Sequence, residues 1–230
     1  MAPRSILISG ASRGLGLEFT RQYAAAGWRV YATCRDPQGA ERLHALDAPN
    51  VSLHRLDVAS DESIAAIGQE MAGVALDIVL ANAGIAESVP VRPETLRRAD
   101  WLEIIAVNTF APLALAGALK PSLLAGTERK AVAVSSLMGS IGRNDWGTQY
   151  AYRASKSGLN ALWRTLSVEW KADGIICALM RPGFVRTEMT NFAGDLEPAD
   201  TVAGMRRVMA GMTMADTGRY HSYDGTELPW

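Results

Sequence analysis

The stretch "YAYRASKSGLNAL" sets two tyrosines, Tyr150 and Tyr152, just ahead of one lysine, Lys156. If the stretch is a helix, residues four apart share a face and residues six apart do not. Tyr152 then lies beside Lys156, while Tyr150 points away by more than a right angle. A phenol with a reference pKa of about 10 holds its proton too tightly for easy exchange near neutrality. A neighbouring ammonium favours the phenolate and draws that value towards the useful range. General acid–base work, with Tyr152 as proton donor, is the chemistry this spacing offers. The same spacing also joins ordinary neighbours on exposed helices, so the pair acquires meaning only from what surrounds it.

A second candidate lies at the start of the chain. The segment "SGASRGLG" follows the apolar run "SILIS" and opens a helical pattern, with glycines at Gly10, Gly14 and Gly16. Glycine permits a tight turn and close backbone approach, and the free N–H groups at a helix start face an anion. The next apolar run ends "YATCRD". In dinucleotide folds an acidic residue near this point holds the ribose hydroxyls of NAD, and Cys34 cannot do so. Arg35 follows it, and Arg13 sits in the glycine loop. Two guanidiniums there suit a 2′-phosphate, which Arg grips bidentately. One charge-assisted hydrogen bond of roughly 1.5–3 kcal/mol favours NADPH about ten- to a hundredfold. The alternative is that both arginines are solvated charges, with Asp36 neutralising Arg35.

Both candidates need a scaffold. Strand-like runs "SILIS", "RVYATC", "VSLHRL", "LDIVLA", "KAVAVSS" and "IICALM" alternate with helical patterns near 14–26, 39–47, 60–72, 99–124 and 149–173. Continuous apolar strands imply burial on both faces. Repeated strand–helix–strand units imply a parallel sheet with right-handed crossovers. The expectation is one α/β domain over 1–230, a Rossmann-type doubly wound parallel sheet flanked by helices on both faces.

Composition removes other classes. A chain 48% hydrophobic and 20% charged is not a disordered one, and a net charge of −1 gives no pull towards nucleic acid or an anionic membrane. The start "MAPRSILISG" is too short an apolar run for a signal peptide. The most apolar segment, "IIAVNTFAPLALAGAL", is broken by Asn108 and Pro112 and reads as too short and too polar to span a bilayer. Cys34, Cys177 and three scattered histidines have no metal-ligand spacing, so no metal is expected, and reduced thiols suit a cytoplasmic protein.

With "SGASRGLG" near the start and "YRASK" in the second half, the sequence resembles the short-chain dehydrogenase/reductase family over nearly its whole length. Further motifs follow in the family's order. "RLDV" resembles the segment after the third strand, which implies adenine contacts from Asp57 and Val58. "ANAG" resembles the motif that steadies the central sheet, placing Asn82, Ala83 and Gly84 along the cofactor. Asn108 in "AVNTFAP" matches the family's helix asparagine, and Ser136 in "VSSLMG" its catalytic serine. "RPGFVRTEM" resembles the segment after the sixth strand, where Pro182, Gly183, Val185 and Thr187 would hold the nicotinamide end. The glycine loop would contribute Gly10, Ser12, Arg13, Gly14, Leu15 and Gly16, with Arg35 beyond it, and Tyr152 and Lys156 would also touch the cofactor, NADP(H).

The resemblance implies a complete tetrad of Asn108, Ser136, Tyr152 and Lys156. In it Tyr152 protonates the substrate oxygen and Ser136 stabilises the developing charge. Lys156 lowers the tyrosine pKa and grips the nicotinamide ribose, and Asn108 holds a water linking Lys156 to solvent. Ser135, on the opposite side of its strand, is structural. The segment "SSLMGSIGRNDWGTQYAYRASKSGLNAL" and the ending "GRYHSYDGTELPW" most resemble the sniffer and C-factor-like group of small carbonyl reductases. Two departures stand out. Ser9 replaces the common threonine and keeps the hydroxyl, and "TNFAGDLEPAD" leaves little material for a lid, so the pocket should be small or open.

Asp145 and Trp146 either line that pocket or merely connect a strand to a helix. Trp163 and Trp170, seven apart, read as core or subunit interface. The resemblance implies a homodimer or homotetramer through the helices at 99–124 and 149–173. A disulfide between Cys34 and Cys177 is implausible, because their strands are separated in the family's 3-2-1-4-5-6 order. The expected activity is NADPH-dependent reduction of a small aldehyde or ketone, or oxidation of the matching alcohol. The rival is an NADP(H)-binding regulatory or signalling protein with incidental turnover.

Overall fold

The computed structural model describes residues 3–87 and 92–230. Seven strands form one sheet: β1 (Ser5–Ser9), β2 (Arg29–Cys34), β3 (Val51–Arg55), β4 (Ile78–Ala81), β5 (Lys130–Val134), β6 (Ile176–Arg181) and β7 (Tyr220–Ser222). Their order is β3-β2-β1-β4-β5-β6-β7, and every neighbouring pair is parallel. The order reverses between β1 and β4, and at that switch point the carboxyl ends of the strands open a crevice.

Alternate side chains of each strand enter opposite layers. Ile6, Ile8, Val132, Val134 and Met180 pack with Phe19 of α1 (Gly14–Ala25) and with Met205 and Met209 of α8 (Pro198–Gly211). Leu7, Val79, Ala131, Ala133 and Leu179 meet the other helices. These are α3 (Asp61–Glu70), α5 (Ala111–Ala118) and α7 (Tyr150–Glu169), through Ile67, Leu115 and Trp163. Each fully buried side chain of this kind stabilises the fold by about 1.5–3 kcal/mol, so the two layers hold the sheet from both faces. The doubly wound arrangement expected from the alternation is the one observed.

Some boundaries differ. α2 covers only Glu41–His44, because Asp36 caps a turn through the Gly39 N–H at 3.1 Å and delays the helix. β3 is half-buried rather than buried, as an edge strand with one neighbour. The helical pattern did not reveal α8, whose buried stripe is built from Thr201, Val202, Gly204, Met205 and Met209 rather than leucines. The three-residue β7 extends the sheet beyond the expected six strands. Trp163 and Trp170 are core. Cys34 on β2 and Cys177 on β6 are both buried and free.

The helix at 99–124 is in fact α4 (Arg98–Ile105), a π turn (Ala106–Phe110), α5 and α6 (Lys120–Ala125). α4, the π turn and α5 run on as one helical stretch, Arg98–Ala118, that is long and apolar enough to cross a membrane by length and composition alone, as core helices also can be. Its Ile104, Val107, Ala111 and Leu115 are buried in the protein. Pro112 explains the π turn, since it lacks the N–H that an α-helix would aim at the Asn108 carbonyl.

Candidate active site

The glycine loop closes β1 onto α1. Gly14 sits at φ +54°, a left-handed conformation that favours glycine. A methyl group on Gly16 would run into the Gly10 carbonyl oxygen and the Asn82 amide, so only glycine lets helix and turn pack this closely. Asn82 Nδ2 donates to the carbonyls of Ser9 at 2.9 Å and Gly10 at 3.3 Å. The Ser9 hydroxyl accepts from the N–H groups of Asn82 and Ala83, each at 3.0 Å. The hydroxyl kept at Ser9 thus ties β1 to β4, and Asn82–Gly84 are held along the crevice. α1 has no side-chain N-cap and no acidic residue in its first turn. Its leading N–H groups, beside the exposed Arg13, form a cradle suited to a phosphate.

Next to this cradle is a cavity of about 360 Å³ lined by Ser12, Arg13, Gly39, Ala40, Glu41, Arg42 and Glu188. Arg35 is exposed and does not line it, whereas Arg42 does. The turn fixed by Asp36 brings Arg42 round, which the spacing of residues could not reveal. Asp36 forms no salt bridge with Arg35 among the described residues. Leu15 packs against the core, anchoring the loop from behind. At the end of β3, Asp57 Oδ1 accepts the Ala59 N–H at 3.0 Å and Val58 packs on the other core layer, leaving a half-buried carboxylate beside the crevice.

Tyr150 is 43% exposed at the first turn of α7, whereas Tyr152 is half-buried. Lys156, only 4% exposed, places Nζ 5.8 Å from the Tyr152 ring centroid and donates to the Val134 carbonyl at 2.9 Å. Burial lowers the lysine to about 8. Burial also pushes the Tyr152 phenol above its ordinary value; Ser136 opposes the rise through a hydrogen bond and the Glu87 charge adds to it. The expected lowering of the phenol by Lys156 is therefore not found: burial dominates, and burial cannot be read from a four-residue spacing.

Ser136 caps the short turn Leu137–Gly139, its hydroxyl accepting the Met138 N–H at 3.2 Å, and its main-chain carbonyl accepts the Tyr220 hydroxyl from β7. Ser135 bonds Asn160 at 2.6 Å on the buried side, as expected of a structural residue. Asn108 Nδ2 donates to the Ile85 carbonyl at 2.7 Å and to the Ser155 hydroxyl at 3.0 Å, while Oδ1 accepts the Ile85 N–H at 2.9 Å. Both donors of this side chain are committed. Its carbonyl, deprived of a helical donor by Pro112, is the atom suited to a water. A Cβ on Gly84 would lie 3.2 Å from Asn108 Oδ1 and 3.6 Å from Lys156 Nζ, so these residues meet at one corner of the crevice. Sequence reasoning missed Glu87, whose carboxylate accepts the N–H groups of Ala151 at 2.8 Å and Tyr152 at 3.1 Å. It caps the helix that presents Tyr152 from a loop 65 residues away, with no signal in the spacing.

After β6, Pro182 and Gly183 are half-buried and Gly183 turns at φ +88°. Thr190 donates to the Val185 carbonyl at 2.6 Å, and the Thr187 methyl lies 3.7 Å from a Cβ placed on Gly14. Val185 and Thr187 thus stand across from the glycine loop. The loop onward folds back on itself, Asp195 and Leu196 both donating to the Phe184 carbonyl at 3.0 and 3.1 Å. Phe184, Met189 and Phe192 stay about half-exposed or more on this segment. Trp146 stacks 4.5 Å from the Arg153 guanidinium on an exposed loop, with Asp145 exposed beside it.

A family profile described as short chain dehydrogenase matches residues 4–197. The chain is 35% identical to the C-signal of Myxococcus xanthus over 155 residues, 67% of this chain and 93% of that protein. The carbonyl reductase Sniffer of D. melanogaster superposes with a TM-score of 0.91 at 30% identity, covering 99% of this chain and 100% of that one. An NADPH-bound carbonyl reductase from chicken fatty liver superposes with a TM-score of 0.90 at 31% identity, covering 100% of both chains.

Proposed function

The chain belongs to the short chain dehydrogenase family, in its sniffer and C-factor-like group, and on that premise we propose that it is an NADPH-dependent oxidoreductase. Its substrate is a small aldehyde or ketone, or in reverse the matching alcohol. The observation that carries this reading is the placement of Tyr152 beside Ser136 and Lys156, on the crevice whose other end is the phosphate cradle with Arg13.

When bound, NADPH supplies hydride to the carbonyl carbon. The glycine loop 10–16 takes the pyrophosphate on backbone N–H groups, Arg13 faces the 2′-phosphate, and Asp57 and Val58 border the adenine. Asn82–Gly84 line the middle, and the Val185 N–H and Thr187 hold the carboxamide beyond Pro182 and Gly183. Tyr152 gives its proton to the substrate oxygen. Ser136, fixed through its own carbonyl by Tyr220, donates a hydrogen bond to the same oxygen as charge develops. A lysine near 8 exchanges protons readily near neutrality. Lys156 can therefore return a proton to Tyr152 through a water on the Asn108 carbonyl, besides gripping the ribose.

The same reading places the protein in the cytoplasm, where two free, buried thiols stay reduced. It assembles as a homodimer or homotetramer through α4–α5 and α7, whose outer faces expose Leu102, Phe110 and Val168. A second reading, an NADP(H)-binding signalling protein, draws its support from the similarity to C-signal. NADPH consumption against a panel of aldehydes, ketones and quinones separates the two. Tyr152→Phe should cut turnover by about a thousandfold or more and leave NADPH affinity nearly intact. Unchanged turnover would refute the assignment, and tight NADPH binding without turnover on any compound would favour the second reading.

A further inference from the structure

The three residues that lead into α7 all have positive φ: Gly147 at +67°, Thr148 at +62° and Gln149 at +56°. Glycine adopts this conformation freely, but for a β-branched threonine it is strained. Such strain persists only where the surroundings over-determine it. Arg153, buried and next in sequence to Tyr152, supplies that constraint. Its Nε donates to the carbonyls of Gly147 at 3.0 Å and Thr148 at 2.9 Å, and its Nη2 to that of Gly147 at 2.8 Å. The Trp146 ring covers the guanidinium at 4.5 Å.

In an α-helix continued back by one turn, the Gly147 carbonyl would accept the N–H of Ala151, and the Thr148 carbonyl that of Tyr152. Here Arg153 occupies both acceptors, and the Glu87 carboxylate takes both donors, at 2.8 and 3.1 Å. One helical turn is thus held open, with a cation on its acceptors and an anion on its donors. Ordinary helical bonding resumes with the Arg153 N–H on the Gln149 carbonyl at 2.8 Å.

Resting on the reading that Tyr152 is the general acid, we infer that Arg153 is a positioning residue: it stops α7 at Tyr150 and so fixes where the helix presents the phenol. Without its fork, the freed carbonyls recapture the N–H groups of Ala151 and Tyr152. Thr148 and Gln149 then relax into right-handed helix, and Glu87 loses both donors. Tyr152 passes from a pinned first turn into the interior of a longer helix, out of register with Ser136.

The test compares wild type, Arg153→Ala, Thr148→Gly and the double variant, with thermal melts confirming that each is folded. Turnover is read as NADPH oxidation with 4-nitrobenzaldehyde, NADPH affinity by quenching of tryptophan fluorescence, and the start of α7 from crystal structures of wild type and Arg153→Ala. A misplacement of about 1 Å costs about a hundredfold, so Arg153→Ala should lower kcat by about that factor and leave NADPH affinity nearly unchanged. Thr148→Gly alone should change little. Added to Arg153→Ala it should recover most of the kcat, because glycine holds the left-handed turn without strain and resists joining a helix. An arginine that served stability alone would lower the melting temperature and show no such recovery. Wild-type kcat in Arg153→Ala, or a loss that the glycine does not recover, overturns the positioning role and leaves Tyr152→Phe to judge the proposed function. If wild type does not reduce the aldehyde, the crystal structures decide. A helix that begins upstream of Tyr150 in Arg153→Ala supports the role, and an unchanged left-handed turn overturns it.

Discussion

Replacing Lys156 with methionine should make the protein more stable at neutral pH in the absence of dinucleotide, while ending turnover. Lys156 is 4% exposed, and burial brings its pKa from 10.5 down to about 8. At 1.36 kcal/mol per pH unit, that drop corresponds to a cost of about 3 kcal/mol for keeping the ammonium in the folded chain. The unfolded chain holds this proton up to about pH 10.5, and the folded chain releases it near 8. Between those values the folded state binds fewer protons, so wild-type stability rises with pH across the window. Below pH 8 the full cost stands. Methionine removes it but leaves the Val134 carbonyl without its donor, a loss of about 1–2 kcal/mol. The net gain at pH 7 is about 1–2 kcal/mol, or about 2–8 °C in Tm for a chain of this size. It should shrink as pH rises and reverse once the wild-type lysine is neutral. Urea denaturation of both proteins from pH 6 to about 10.5 measures it. A variant less stable than wild type at pH 7, or a difference that does not change with pH, would refute the reasoning.

Two other perturbations follow from the same geometry. Asp77 is buried, yet hydrogen bonds from the Thr127 hydroxyl at 2.6 Å and from the N–H groups of Ser5 at 2.8 Å, Thr127 at 2.9 Å and Glu128 at 3.2 Å outweigh that burial and hold its carboxyl below the usual range. Asp77→Ala strands these donors and should cost about 3–5 kcal/mol; this contribution is lost as pH falls below the ordinary carboxylate range and wild-type Asp77 takes up its proton, so in strong acid the two denaturation curves should converge. Glu87→Gln keeps one acceptor for the start of α7 but removes the negative charge that raises the Tyr152 phenol. The alkaline limb of carbonyl reduction, where the general acid is lost, should move to lower pH in a kcat/KM profile, with Ser136 and Lys156 unchanged beside it. A limb that stays in place would show that Glu87 acts only as a cap.

What the sequence disclosed and what it withheld divide along physical lines. The sheet was legible because each strand is short, apolar and followed by a helix, and the glycine loop because only glycine fits at Gly16 and the left-handed backbone at Gly14 favours it. The choice of Tyr152 over Tyr150 followed from helical geometry alone. Glu87, Arg42, Glu188 and Tyr220 were invisible because each reaches the crevice from a different element, and nothing in local spacing links Arg42 to Glu188. The phenol's raised pKa has no trace in the spacing for the same reason, since desolvation is a property of the packed molecule. α8 escaped because methionines and glycine carry its buried stripe, and β7 because three residues are too few to show a period.

The hydroxyl of Tyr220 on the carbonyl of Ser136 joins residues 84 positions apart. During translation, at about 5–20 residues per second, the strand that steadies the serine emerges about 4–17 s after the serine itself. The glycine loop, by contrast, depends on β1 and on Asn82, both made early. The residues that form the cradle are therefore all synthesised before the tyrosine that pins the serine, although the core layer behind them is completed only by Met205 and Met209 of α8.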